Sequence, residues 1–126
     1  MISLGQARKI ARAFAEVTEE DHFGRPSFRI GGRIFAAVPD QGHLNVMIDP
    51  FDVEGVVRAN PDACSELWWG KEVRGVKVGL KAASPQLLGD LLEAAWRRRA
   101  PRRLLPASGQ PERRGRNGDR KGPTKR

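Results

Sequence analysis

Two adjacent glycines, Gly31 and Gly32, separate the β-prone runs "SFRI" and "RIFAAV". A two-residue loop of this kind is a type I′ turn. It needs positive φ at both central positions, which glycine adopts without a steric penalty. The pair predicts a tight antiparallel hairpin. A lone hairpin is marginal in water, so further strands or a helix must cover its apolar face. A two-residue loop sets Ile30 opposite Arg33 and Phe28 opposite Phe35. Ile34, Ala36 and Val38 then fall on the other face, so both faces carry apolar groups, and spacing leaves open which of them meets the helices.

The flanking segments supply those partners. Ser3 and Gln6 have capping-box spacing, and Leu4, Ala7, Ile10, Ala11, Phe14 and Val17 follow helical spacing, which predicts a first helix fading near Val17. "TEEDHFGRP" reads as a loop, with Phe23 and Pro26 holding it and Glu19, Glu20 and Asp21 solvated. "LNVMI" alternates as a strand, and Asp49-Pro50 opens a second helix that Asn60-Pro61 closes. "SELWWGKEVRG" is ambiguous, whereas "VKVGL" alternates again. Ser84-Pro85 begins a last helix carrying Leu87, Leu88, Leu91, Leu92, Ala95 and Trp96 on one stripe, with Arg97, Arg98 and Arg99 at the end where the helix dipole favours cations. The expected order is helix, three strands, helix, one or two strands, helix and tail. The fold class is α+β, an antiparallel sheet with helices on one face.

Charge is distributed unevenly. The 126 residues carry a net charge of +8, yet residues 97–126 hold twelve Arg and Lys against two acids, and residues 1–96 hold eleven against thirteen. Residues 106–126 have almost nothing to bury and are expected to be a disordered basic tail behind a domain spanning 1–105. The longest apolar run, Ile34 to Val38, is too short to span a membrane, and "MISLGQARKIARAF" has no apolar core of a secretory signal. The single cysteine, Cys64, has no internal disulfide partner, which fits a reducing cytoplasm.

With these elements placed, the chain resembles the MmcQ/YjbR family. The resemblance rests on "EEDHFGRPSFRIGGRIFA", "LNVMIDP", "WWG" and "LLEAAWRRRAP", and covers roughly residues 3–105. It implies a two-layer sandwich like that of the bacterial frataxin homologue CyaY, and DNA binding through a double-wing arrangement of hairpins. In the family a second aromatic commonly follows the Trp-Gly. Here Gly75 is followed by Val76, and the stretch from Trp69 to Leu80 is about one residue longer, which leaves the register of that segment open.

Several residue sets carry chemistry. Asp21, His22 and Ser27 are close in sequence, but no nucleophile elbow or other catalytic motif surrounds them, so no enzymatic role is expected. His22 and His43 lack paired-ligand spacing, and where frataxin-like proteins bind iron through first-helix acids this chain has Arg8, Lys9 and Arg12. No cofactor is expected. Cys64 has acidic neighbours and reads as structural. Trp68 and Trp69 are candidates for base stacking, with at least one expected in the core, and Trp96 belongs to the core stripe.

The hairpin cations Arg25, Arg29, Arg33, Lys71, Arg74, Lys77 and Lys81 stand where wings meet phosphates. Arg113, Arg114, Arg116, Arg120 and Lys121 extend that set into the tail. The function expected is low-specificity, electrostatic DNA binding. The alternative is a protein-interaction module, since the scaffold also resembles type III secretion chaperones.

Overall fold

The computed structural model of the chain describes residues 1–105. The expected tail, with Arg113, Arg114, Arg116, Arg120 and Lys121, lies outside the described residues. The fold is α+β. Helix α1 (Leu4–Arg12) is followed by strands β1 (Thr18–His22), β2 (Arg25–Ile30), β3 (Arg33–Asp40) and β4 (His43–Val46). Helix α2 (Pro50–Ala59), strands β5 (Cys64–Trp69) and β6 (Glu72–Gly79), and helix α3 (Pro85–Arg99) complete it, with a short 3-10 turn over Arg102–Leu104. The six strands form one antiparallel sheet in the order β1-β2-β3-β4-β6-β5.

The helix starts follow from their caps. The Ser3 hydroxyl accepts from the Gln6 amide at 3.1 Å, and the Gln6 side chain accepts from the Ser3 amide at 2.9 Å. Asp49 caps α2 and Ser84 caps α3, each followed by proline at a position whose missing N–H costs nothing. Helix α1 ends at Arg12, one turn earlier than its apolar spacing predicts, because the Ala13 amide closes a tight last turn on the Ile10 carbonyl. Phe14 still packs on the core, stacked on Trp96 at 5.9 Å, and the Ala15 carbonyl accepts from the Trp96 indole at 3.2 Å.

One sheet face is buried. Phe28, Ile30, Ala36, Leu44, Val46, Val76 and Val78 meet Ala7 and Ala11 of α1, Val53 of α2, and Leu88, Leu92 and Ala95 of α3 in a single cluster. Each large side chain so buried contributes about 1.5–3 kcal/mol of transfer free energy. Gly31 and Gly32 adopt φ of 58° and 79°, as the type I′ turn requires, and Ile30 faces Arg33. Phe28, however, pairs with Ala36 and not with Phe35. A bulge makes Phe35 the extra residue, and Phe35 and Ala36 are both buried. The bulge thereby assigns the faces, sending Ala36 and Val38 into the core and leaving Ile34 and Ala37 on the open side.

Two further expectations are corrected. "TEEDH" is not a loop but the edge strand β1, whose Ser27 partner bonds the Glu20 carbonyl through its buried hydroxyl at 2.9 Å. Its Glu19 is not solvated, because it takes Arg8 at 2.5 Å and Arg12 at 3.1 Å and so ties β1 to α1. Trp68 and Trp69 are 54% and 55% exposed, so neither is core, whereas Trp96 is 7% exposed. Both exposed tryptophans stand at the hairpin end of an edge strand, with a neighbouring strand on one side only. Among the described residues, no helix is long and apolar enough to cross a membrane.

Candidate nucleic-acid interface

In an antiparallel sheet of this order, the β2–β3 turn, the end of β4 and the β5–β6 turn lie at one end. The β1–β2 turn, the β3–β4 turn and the exit of β6 lie at the other. The seven hairpin cations therefore divide. Arg33, Lys71 and Arg74 belong to the first end, and Arg25 and Lys81 belong to the second. Arg29 stands one pair in from the β2–β3 turn and donates to the Ser27 hydroxyl at 3.3 Å, and Lys77, further along β6, is close enough to Asp40 to help hold its carboxyl ionised. Arg25 donates to the Pro39 carbonyl. The set does not form one continuous face.

What the sequence did not pick out as part of a site is the contribution of α3. The Arg98 guanidinium donates to the carbonyls of Met47 and Ile48, each at 2.9 Å, which fixes the C-terminal end of α3 against the exit of β4. Arg99 follows. Burial, and then the charges of Arg98, Arg33 and Arg74, push its guanidinium below its ordinary pKa. It remains a cation, because guanidinium does not deprotonate in proteins. Its Nε is buried with no hydrogen-bond partner among the described residues. Arg74 is ion-paired to Glu72 at 3.1 Å, but among the described residues no carboxylate is ion-paired to Arg33, Arg98 or Arg99. Four arginines from three elements converge here with one acid among them.

The charge of the domain changes accordingly. Arg97, Arg98, Arg99, Arg102 and Arg103 belong to the described fold and not to the tail. Residues 1–105 hold sixteen Lys and Arg against thirteen acids, so the folded part is cationic where a division at residue 96 makes it slightly acidic.

The open sheet face carries a groove of about 450 Å³. Its floor includes Ile34, Ala37, Asn45 and Met47, with Phe23 and Trp69 among its walls. Phe23 does not hold a loop. It occupies the first position of the β1–β2 turn at φ 54°, is 92% exposed, and meets His22 edge-on at 4.6 Å. At the other wall, the Arg74 guanidinium lies over the Trp69 ring, 5.3 Å from its centroid. The β5–β6 hairpin turns on Gly70 at φ 61°, and a bulge leaves Arg74 as the extra residue between Gly75 and Val73, which face Leu67 and Trp68. This bulge falls in the segment that the family resemblance marks as longer.

The remaining candidates are accounted for locally. The Asp21 carboxylate accepts from the Gly24 amide at 3.1 Å inside the β1–β2 turn, and the Ser27 hydroxyl is spent on the Glu20 carbonyl. Cys64 is buried, and burial pushes its thiol pKa up, away from the reactive thiolate. His43 bonds Asp40 at 2.8 Å in the β3–β4 turn. Among the described residues, no three His, Cys, Asp or Glu side chains gather as metal ligands.

Comparison with curated proteins and with solved structures gave no match. Comparison with family descriptions matched one named YjbR over residues 12–98, from the last residue of α1 into the last turn of α3. Because that match covers more than half of the sequence, the chain belongs to the YjbR family.

Proposed function

We propose that the chain is a non-enzymatic, cytoplasmic DNA-binding protein of low sequence specificity, and that its folded domain makes the contact. The observation that supports this reading is the convergence of Arg33, Arg74, Arg98 and Arg99 with a single partnering acid, Glu72. Like charges held together raise the energy of the folded state unless a counter-charge is present. Duplex DNA presents a negative charge about every 1.7 Å of axis and supplies that counter-charge along a line. The β2–β3 and β5–β6 turns flank the cluster, with Lys71 in the second of them, so two hairpin tips and a helix end approach the phosphates together. Such contacts fix position and carry no sequence information. The tail cations add polyanion affinity of the same kind.

The test is a chemical-shift map of the full chain with a duplex. The reading expects the perturbed amides to centre on Arg33, Lys71, Arg74 and Arg99. Perturbation confined to residues 106–126 would place binding on the tail alone. The exposed Phe23 and Trp69 favour a second reading, docking of a partner protein. It differs from the first in predicting affinity that barely responds to salt.

A further inference from the structure

The groove on the open face is not explained by phosphate contacts. It is floored by apolar Ile34, Ala37 and Met47, and it has exposed aromatic rings at Phe23 and Trp69. Its volume of about 450 Å³ falls within the roughly 300–1,000 Å³ of small-ligand clefts. The Oδ1 of Asn45, one of the groove residues, is buried and has no hydrogen-bond partner among the described residues. An orphaned buried acceptor is costly, and a ligand that donates to it removes the cost. Arg74 connects this groove to the cationic cluster, because its guanidinium covers Trp69 and its charge acts on Arg99.

Resting on the DNA-binding reading, we propose that the groove takes unpaired nucleobases, so that single-stranded DNA is the preferred partner. Charge complementarity selects this occupant, since an apolar slot with Arg25 in its lining and the Arg74 guanidinium over its Trp69 wall matches a ligand with flat rings strung on phosphates. Duplex bases are paired and stacked and present only their edges, so they cannot enter a concave slot on a sheet face. Unpaired bases stack on exposed aromatic rings whatever their sequence, and their amide and amino groups donate hydrogen bonds. In this arrangement the backbone runs over Arg33, Arg74 and Arg99, a base stacks at Trp69, and a base N–H reaches Asn45.

The experiment compares the full chain with its Trp69→Ala and Trp69→Phe variants, binding a fifteen-residue oligothymidylate and a duplex of about the same length at equal salt. Trp69 is more than half exposed, so its replacement leaves the core intact. Wild type is expected to bind the single strand more tightly than the duplex, with its exposed tryptophan emission quenched by the single strand alone. Trp69→Ala should weaken single-strand binding by about 5- to 100-fold while changing duplex binding by less than about 3-fold. Trp69→Phe, which retains a ring, should recover most of the affinity. Equal weakening on both ligands would mean that Trp69 only positions Arg74, and the inference fails. Duplex binding as tight as single-strand binding and untouched by Trp69→Ala would also overturn it, leaving the phosphate reading intact. Failure to bind either ligand ends both readings.

Discussion

The guanidinium of Arg74 lies over the ring of Trp69 at 5.3 Å and is ion-paired to Glu72 at 3.1 Å. One extra residue in β6 makes this geometry possible, since the bulge opposite Leu67 and Trp68 is the position Arg74 occupies. A cation over an exposed ring is worth about 0.5–1 kcal/mol, and an exposed ion pair adds about 0–1 kcal/mol. Arg74→Ala should therefore cost the fold no more than about 1–2 kcal/mol in urea denaturation. The same variant should lower the slope of log affinity for duplex DNA against log salt by about 1, as expected when one cation no longer reaches a phosphate.

The neighbouring Gly75 predicts the opposite balance. A Cβ added there would overlap the Val46 carbonyl oxygen and stand 3.0 Å from the Met47 Cα, and both are backbone atoms that cannot step aside alone. Gly75→Ala should destabilise the domain by at least about 1–3 kcal/mol, read as a lower urea midpoint. Unchanged stability would show that β4 and β6 are not in this register.

Phe23 sits at φ 54° before Gly24 at φ 82°, a type I′ turn with a bulky residue in the left-handed region. Asn-Gly is the preferred pair for that turn. Phe23→Asn should raise stability by about 1 kcal/mol, seen as a higher melting temperature. If the groove takes bases, the same change should weaken oligothymidylate binding, so that stability and affinity move in opposite directions.

Acid should loosen the β3–β4 turn. The Asp40 carboxyl accepts from His43 and from the Gly42 amide, each at 2.8 Å, and these bonds hold its pKa below the ordinary carboxylate range. A carboxyl depressed in the folded state stabilises above its unfolded pKa of about 4, and that contribution is lost as pH falls through the folded value. A titration of side-chain carboxyl signals should place Asp40 below a free aspartate. Asp40→Asn should remove this part of the acid sensitivity. An Asp40 midpoint at or above that of free aspartate would contradict the assigned bonds.

Local chemistry wrote much of this fold into the chain. Ser3 with Gln6, Asp49-Pro50 and Ser84-Pro85 name three helix starts through backbone groups only a few residues away, and Gly31-Gly32 names a turn by its required dihedrals. Features set by partners distant in sequence were not legible. Strand β1 has no apolar alternation because it is an edge whose inward-leaning Glu19 is satisfied by Arg8 and Arg12 of α1. The bulges at Phe35 and Arg74, like the register shift between Ala37 and Asp40, are register events between strands that composition does not mark. Arg98 and Arg99 read as ordinary helix-closing cations, and only the packing of α3 over β3 and β4 carries them to the β2–β3 and β5–β6 tips.

Contact through the folded domain is tested most directly by duplex affinity across a salt series for three full-length proteins. These are wild type, Arg33→Gln/Arg99→Gln, and Arg113→Gln/Arg114→Gln/Arg116→Gln. Removing one cation from a phosphate should reduce the steepness by about 0.9. If the folded domain holds the duplex, the Arg33 and Arg99 pair of substitutions flattens the slope by about 2 and weakens binding at every salt concentration. A slope and affinity unchanged in that variant, with binding abolished by the tail substitutions, would contradict it.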